Sequence, residues 1–487
     1  MKKYIFYLTA LVAISTTACR KIETDGEPII IEIPGNGNGG TTGKRVELKG
    51  FIEKDTTLKA IDNNIITGKV YIRKGATLTI EKGATVKGTY TGSDVAALII
   101  NRGAKIIAQG TADEPIVFTS ASSTPISGDW GGIVICGKAA NNGNANGVQG
   151  LYVPEGGIHN FTTGDGVSGS GDAEVPTPVN NDNSGILSYV RIEYAGYAFQ
   201  PNQEINSLTM ASVGSGTQID HIQVTYAKDD AFEWFGGTVN CKYLIAYKTQ
   251  DDDFDSDYGF SGSVQFGLII RDSSIADVSK SEAFESDNNA NGDNLTPQTS
   301  AVFSNITAFG PQATLNNVGS SNYHGAAVQI RRNSSISIFN SAFVGWATGI
   351  SVENDKGTTD KNIQDGKLQL SGIVLAGCKK PLNLVTSAAS VYTQATFEAW
   401  FNTAAKQNKI LTTVDDIRYT RPFDYLNPDW QPFGNSALVI ASASNNYFDD
   451  PIIKARPFIT KVDFLGGIAP SGADANWYKG WTKFNNN

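Results

Sequence analysis

Cysteine and histidine are scarce in this chain, four and three in 487 residues. After Cys19 only Cys136, Cys241 and Cys378 remain. Each lies in or beside an apolar run such as Val134-Ile135-Cys136, so they read as buried free thiols and not as a disulfide framework or a zinc site. His159 and His221 stand isolated and His324 falls in the loop 320–325, with no spacing that suits metal ligation or catalysis. Charged residues make up only 18% and the formal net charge is −9, which argues against a nucleic-acid or anionic-membrane partner. Past residue 14 no apolar stretch approaches the roughly 18 residues a membrane helix needs. Segments with a 3.6-residue amphipathic period are almost absent, and no four-strand blade signature recurs, which excludes helical solenoids and propellers.

What the amino terminus does contain is Met1-Lys2-Lys3, an apolar run over 4–14 too short to span a bilayer, and small residues ending Thr16-Thr17-Ala18-Cys19. This pattern resembles a bacterial lipobox. Residues 1–18 are therefore expected to be a signal peptide and Cys19 the lipidated residue, whose acyl chains anchor the protein to a membrane. Residues 19–45 form a Gly/Asn/Thr-rich tether that holds the remainder off the bilayer.

Residues 46–487 carry repeats. Gly75-Ala76-Thr77-Leu78, Gly83-Ala84-Thr85-Val86 and Gly103-Ala104-Lys105-Ile106 are short alternating strands separated by glycine turns, and a longer unit recurs at 190–195, 222–227 and 244–247. Stacked strands of this kind predict an all-β, right-handed parallel β-helix, a solenoid whose inward positions form ladders of Ile, Val, Leu, Phe and Tyr. Loop insertions are expected at about 137–185 and 387–425, the second with an amphipathic helix over 395–406. The Trp-rich end, 476–482, is expected to cap the final coil.

The run 226–262, with Asp229-Asp230-Ala231-Phe232-Glu233-Trp234-Phe235-Gly236-Gly237 and Asp251-Asp252-Asp253-Phe254-Asp255-Ser256-Asp257, resembles a group of Bacteroidetes surface lipoproteins with right-handed parallel β-helix folds. The likeness extends over most of the mature chain. It implies an outer-membrane, lipid-anchored protein at the cell surface, of a kind that accompanies TonB-dependent transporters in polymer uptake. It carries over no catalytic residues.

Asp230-Ala231-Phe232-Glu233, Asp252-Asp253-Phe254-Asp255 and Glu282-Ala283-Phe284-Glu285 share the pattern acid, any residue, Phe, acid. One coil per unit would stack the phenylalanines inside and set the following acids in a column outside, because neighbours in a strand face opposite ways. The acid two before each Phe must then lie in a turn and form a second column. Coils stack about 4.8 Å apart, a separation at which like charges repel by about 1 kcal/mol in water and about 4 kcal/mol at an effective dielectric of about 20. A hard cation such as Ca²⁺, which takes about 6 to 8 oxygen ligands, would offset that cost. The candidate ligands are Asp230, Glu233, Asp252, Asp253, Asp255, Asp257, Glu282 and Glu285. Pairing with Lys228, Lys242, Lys248 or Arg271, or plain solvation, is the alternative.

Two functional classes follow. A non-catalytic module would capture a polysaccharide ligand through exposed aromatics, with Trp234 and Phe235 the leading candidates. An enzyme would be a Ca²⁺-dependent lyase, with Lys248 or the pair Arg331-Arg332 as base, or a hydrolase using two of the ladder carboxylates. A structural or adhesive surface protein is a third class. No lyase-like basic motif appears, which favours binding.

Overall fold

The computed structural model describes residues 29–33, 43–92, 95–200, 203–311, 323–424, 428–439 and 446–484. The expected signal peptide, Cys19 and most of the tether lie outside the described residues.

Each coil of the chain contributes strands to three parallel columns. The first runs from Ala97–Ile100 through Ile133–Cys136, Leu208–Ala211, Phe232–Phe235, Phe254–Asp257, Phe284–Ser286, Ala326–Ile330 and Thr348–Glu353 to Lys380–Val385. The second and third share long bent strands, among them Gly185–Glu193, Gln218–Thr225, Asn240–Tyr247, Ser263–Ile270 and Val302–Phe309. This is the right-handed parallel β-helix that the glycine-punctuated repeats imply. Thr77–Ile80 alternates half-buried and buried positions, and Gly75 turns the chain into it at φ 88°.

Inward positions stack coil upon coil. In the second column Ile80, Ala108, Leu187, Ile219, Cys241, Val264, Phe303, Ile338 and Leu370 succeed one another in register. All are almost fully buried, each larger side chain contributing about 1.5–3 kcal/mol of apolar burial. Cys136, Cys241 and Cys378 are unpaired thiols, the first two buried.

The bend between the second and third columns forms a ladder of its own. Tyr189, His221, Tyr243 and Phe266 all sit at positive φ there. Their rings stack at 4.1, 4.4 and 5.0 Å between centroids, and that contact offsets a left-handed conformation costing roughly 1–2 kcal/mol at each residue. His221 is thereby a structural residue.

Three additions cover what the coils leave open. Between residues 137 and 185 the chain folds as two short hairpins, Asn144–Ala145 with Val148–Gln149 and Leu151–Tyr152 with Ser168–Gly169. It lies over the outer face of the early first-column strands, where Ile158 packs with Ile99, Val134 and Cys136. Arg73–Asp165 and Arg102–Asp172, both 2.7 Å, tie it down. The expected helix is shorter than its apolar pattern suggests. It spans Gln394–Phe401 and ends at Asn402, with a separate 3₁₀ turn at Ala404–Lys406. Phe397 and Phe401 join the main core, while Gln394 bonds to Leu382 and Leu384 along the edge of the last first-column strand.

That helix, and not the Trp-rich tail, closes this edge. The tail runs back along the side of the solenoid: Trp477, Tyr478 and Trp481 pack with Tyr247, Leu268, Ile270, Phe309 and Val344. Gln223 and Arg191 bond the backbone of Lys483 and Trp481. The reason is the apolar outer face of the third column, which without this cover would be open to water.

Candidate functional site

Phe232, Phe254 and Phe284 pair in register in the first column. Their rings meet edge to face at 5.6 and 5.3 Å, so the next residues, Glu233, Asp255 and Glu285, project outward as one column. The turn acids form the second. One oxygen of Asp230 accepts the backbone N–H of Asp252 at 2.9 Å, and one oxygen of Asp252 accepts that of Glu282 at 2.5 Å. Asn206 occupies the equivalent place one coil earlier, accepting from the N–H of Asp230 and donating to Glu233.

These columns, apart from the buried Glu282, line a cleft of about 370 Å³ together with Glu155, Asn206, Asp229, Asp251, Ser279, Lys280, Arg331 and Arg332. The cleft opens where the 137–185 insertion ends its cover. Glu155 comes from that insertion, and Ser279 and Lys280 come from the loop after Ile270. Glu155, Ser279 and Lys280 carry no periodic signal in the sequence, and only contact across the fold brings them here, whereas Asn206 stands two residues before Leu208, which pairs in register with Phe232.

The carboxyls titrate far from their ordinary range. Burial, then repulsion from neighbouring carboxylates, raises Asp230, Glu233, Asp252 and Asp255 well above it. Burial lifts Asp251 and Glu282 to about 7 and Glu285 to about 8; for Glu282 a hydrogen bond from Asp252 opposes the rise, and for Glu285 the charge of Arg331 does. Arg331 pairs with Glu285 and with Asp287, and Arg332 with Asp287.

Oxygens of three trios, Asp229/Asp230/Asp251, Asp230/Glu233/Asp255 and Asp252/Glu282/Glu285, approach within 4.8 Å of one another. Asp255 Oδ1 and Glu282 Oε2 are buried with no protein hydrogen-bond partner.

Four expected site residues fall elsewhere. Asp253 is fully buried and pairs with buried Arg271 at 3.0 Å, so it belongs to the support beneath the cleft. Asp257 accepts from the N–H of Tyr258 and belongs to none of the trios. Trp234, expected on the surface, is 0% exposed. Strand alternation turns it inward with Phe232, and it stacks on Phe260 at 5.2 Å. Phe235 does face outward but is covered by Tyr152 of the insertion at 4.6 Å. Tyr152 and Tyr258, 4.6 Å apart and half-buried, are the aromatic surfaces that border the acids.

The nominated bases are engaged. Lys248 pairs with Asp272 at 3.0 Å and does not line the cleft, and Arg331 and Arg332 are held by carboxylates. His324 also stands outside the lining; burial, then the charge of Arg271, lowers it to about 4.

A three-column parallel β-helix with an acidic cleft on one face defines the class of the molecule. Residues 50–415 match the family model described as a pectate-lyase-like β-helix domain, and the chain belongs to that family. Among solved structures it is similar to the Dettilon tailspike protein, at 12% identity and TM-score 0.28, covering 69% of this chain and 62% of that one. It is also similar to the Streptococcus pneumoniae surface protein and adhesin PfbA, at 10% identity and TM-score 0.21, covering 66% and 92%. The chain thus spans less than two thirds of the tailspike's length. No curated protein matches.

Proposed function

We propose that this is a cell-surface, lipid-anchored module of the Bacteroidetes type that captures extracellular polysaccharide beside a TonB-dependent transporter, with a divalent cation, Ca²⁺, in its acidic cleft. The observation that carries this reading is the imbalance in the cleft: eight lining carboxylates face three basic side chains, and Arg331 and Arg332 are already committed to Glu285 and Asp287. Oxygen-only donors suit a hard ion with flexible coordination. Tyr152 and Tyr258 offer ring faces for a sugar next to it. Binding is preferred to lyase chemistry because the nominated bases are held in ion pairs.

The test is retention on immobilised acidic and neutral glycans with Ca²⁺ or with EDTA. Ca²⁺-dependent retention without cleavage is expected, and no retention on any glycan in either condition overturns the binding role. The anchor is tested separately: Cys19→Ala should move the protein out of the detergent phase.

A second reading, hydrolysis by a carboxyl pair, is favoured by Glu285, which burial lifts to about 8, since a carboxyl kept protonated is what the general acid of glycoside hydrolysis requires. New reducing ends after incubation with polysaccharide would establish it in place of binding.

A further inference from the structure

Within the capture reading above, on which this step rests, and independently of the cation, we infer that the cleft receives the end of a glycan chain and not a stretch of its interior. A parallel β-helix that holds a polymer along its side needs an unbroken outer face, and the register of the first column shows that this face is broken. Ahead of the cleft its outward positions are Tyr71, Ile99, Val134 and Thr209. Within the cleft they are Glu233, Asp255 and Glu285.

Outward side chains on a solenoid are ordinarily wetted, yet Ile99 and Val134 are 0% and Thr209 is 1% exposed. The 137–185 insertion lies over this stretch. Ile158 packs on Ile99 and Val134 together with Ile205. Tyr71 donates its hydroxyl to the carbonyl of Ile158 at 2.9 Å, and Lys69 Nζ donates to the carbonyls of Gly156 and Gly157, both at 2.9 Å. A sugar chain continuing along the face would have to strip off this apolar cover, a loss that its own water-solvated hydroxyls do not repay. Glu155, one residue before Gly156, enters the lining of the cleft. The cleft therefore ends blind against Glu155 and Asn206.

The other boundaries are equally close. Arg331 and Arg332 reach back from the next coil to Glu285 and Asp287. The following outward positions, Gln329 and Ser351, donate to Glu353 at 3.0 and 2.8 Å and take no part in the lining. Across the coils, Ser279 and Lys280 stand on one side and Tyr152 and Tyr258 on the other. From Glu233 to Glu285 is two coil steps, about 10 Å. The volume of about 370 Å³ lies at the low end of the ~300–1,000 Å³ typical of sites that enclose a small molecule. A polymer held by its interior must leave such a site in two directions, a chain end in only one.

The test is calorimetric titration of the full chain with polygalacturonate and with a linear β-glucan, each cut to a series of average lengths at constant total mass, in CaCl₂ and in EDTA. Capacity should follow the number of chain ends, so that halving the average length doubles the protein bound per unit mass. Affinity should level off once an oligosaccharide fills the cleft. Capacity set by mass, with affinity rising at every added sugar, overturns the inference and leaves capture intact. No binding of either polymer at any length, in either condition, overturns the capture reading and this step with it. Tyr258→Ala should weaken the shortest saturating oligosaccharide and its polymer alike, by about fivefold, the worth of one stacked ring. A polymer that loses much less than the oligosaccharide is held at further points along its length, which overturns the inference. End-dependent binding that Tyr258→Ala leaves unchanged places the chain end outside this cleft and overturns it as well.

Discussion

Without a cation the cleft should become a liability as pH rises, and the structure sets the size of the effect. Burial lifts Glu282 to about 7 from an ordinary 4.5, with Asp251 at about 7 and Glu285 at about 8. A folded state that holds protons more tightly than the unfolded chain gains stability that is complete below the unfolded value, near 4, and is lost as pH climbs through 7 to 8. A tenfold displacement is worth about 1.4 kcal/mol, so Glu282 alone withdraws about 3 kcal/mol between pH 4 and pH 8. Its neighbours add less than their separate shares because they titrate as one set. For a chain of this size about 1 kcal/mol moves the melting temperature by about 1 °C. Differential scanning fluorimetry in EDTA should therefore show Tm falling by at least ~3 °C from pH 5 to pH 8. Saturating Ca²⁺ should abolish the fall, because the ion takes the deprotonated oxygens. Asp220, Asp272 and Asp277, where hydrogen bonds outweigh burial and hold the carboxyls low, act in the opposite sense only below about pH 4, outside this window. A metal-free Tm that stays level or rises from pH 5 to pH 8 refutes the reasoning.

Phe254, fully buried against Phe232, Phe284 and Trp234, should cost about 3–5 kcal/mol when cut to Ala; urea unfolding with a loss below about 1 kcal/mol would contradict its place in the core. Arg271→Met leaves Asp253 buried and unpaired and should destabilise by about 3–5 kcal/mol, while adding Asp253→Leu should recover most of it. Chemical denaturation of the two variants checks this, and a double variant no better than the single one would show that the arginine's bonds to the carbonyls of Thr249, Asp251 and Glu282 dominate.

The sequence alone determined the repeating part of the molecule, because a parallel solenoid is built from neighbours one coil apart and the coil length is written in the spacing of like residues. Gly75, Gly83 and Gly103 announce the turns. Phe232, Phe254 and Phe284 carry the register through to Val328 and Ile350, which continue their column, and the same spacing placed the two acidic columns beside them. What the sequence could not decide is which outward side chains remain outward once the chain has covered itself. Trp234-Phe235 reads as an exposed aromatic pair, yet period-two alternation buries the first, and Tyr152, more than eighty residues earlier, covers the second. Glu155, Lys280 and the Trp477–Trp481 tail reach their places through contacts with no fixed spacing, since the position of an insertion is set by the apolar face it must cover and not by the repeat. Asp253 and Asp255 likewise read alike in the chain. Only the buried guanidinium of Arg271 makes one a support and leaves the other in the cleft.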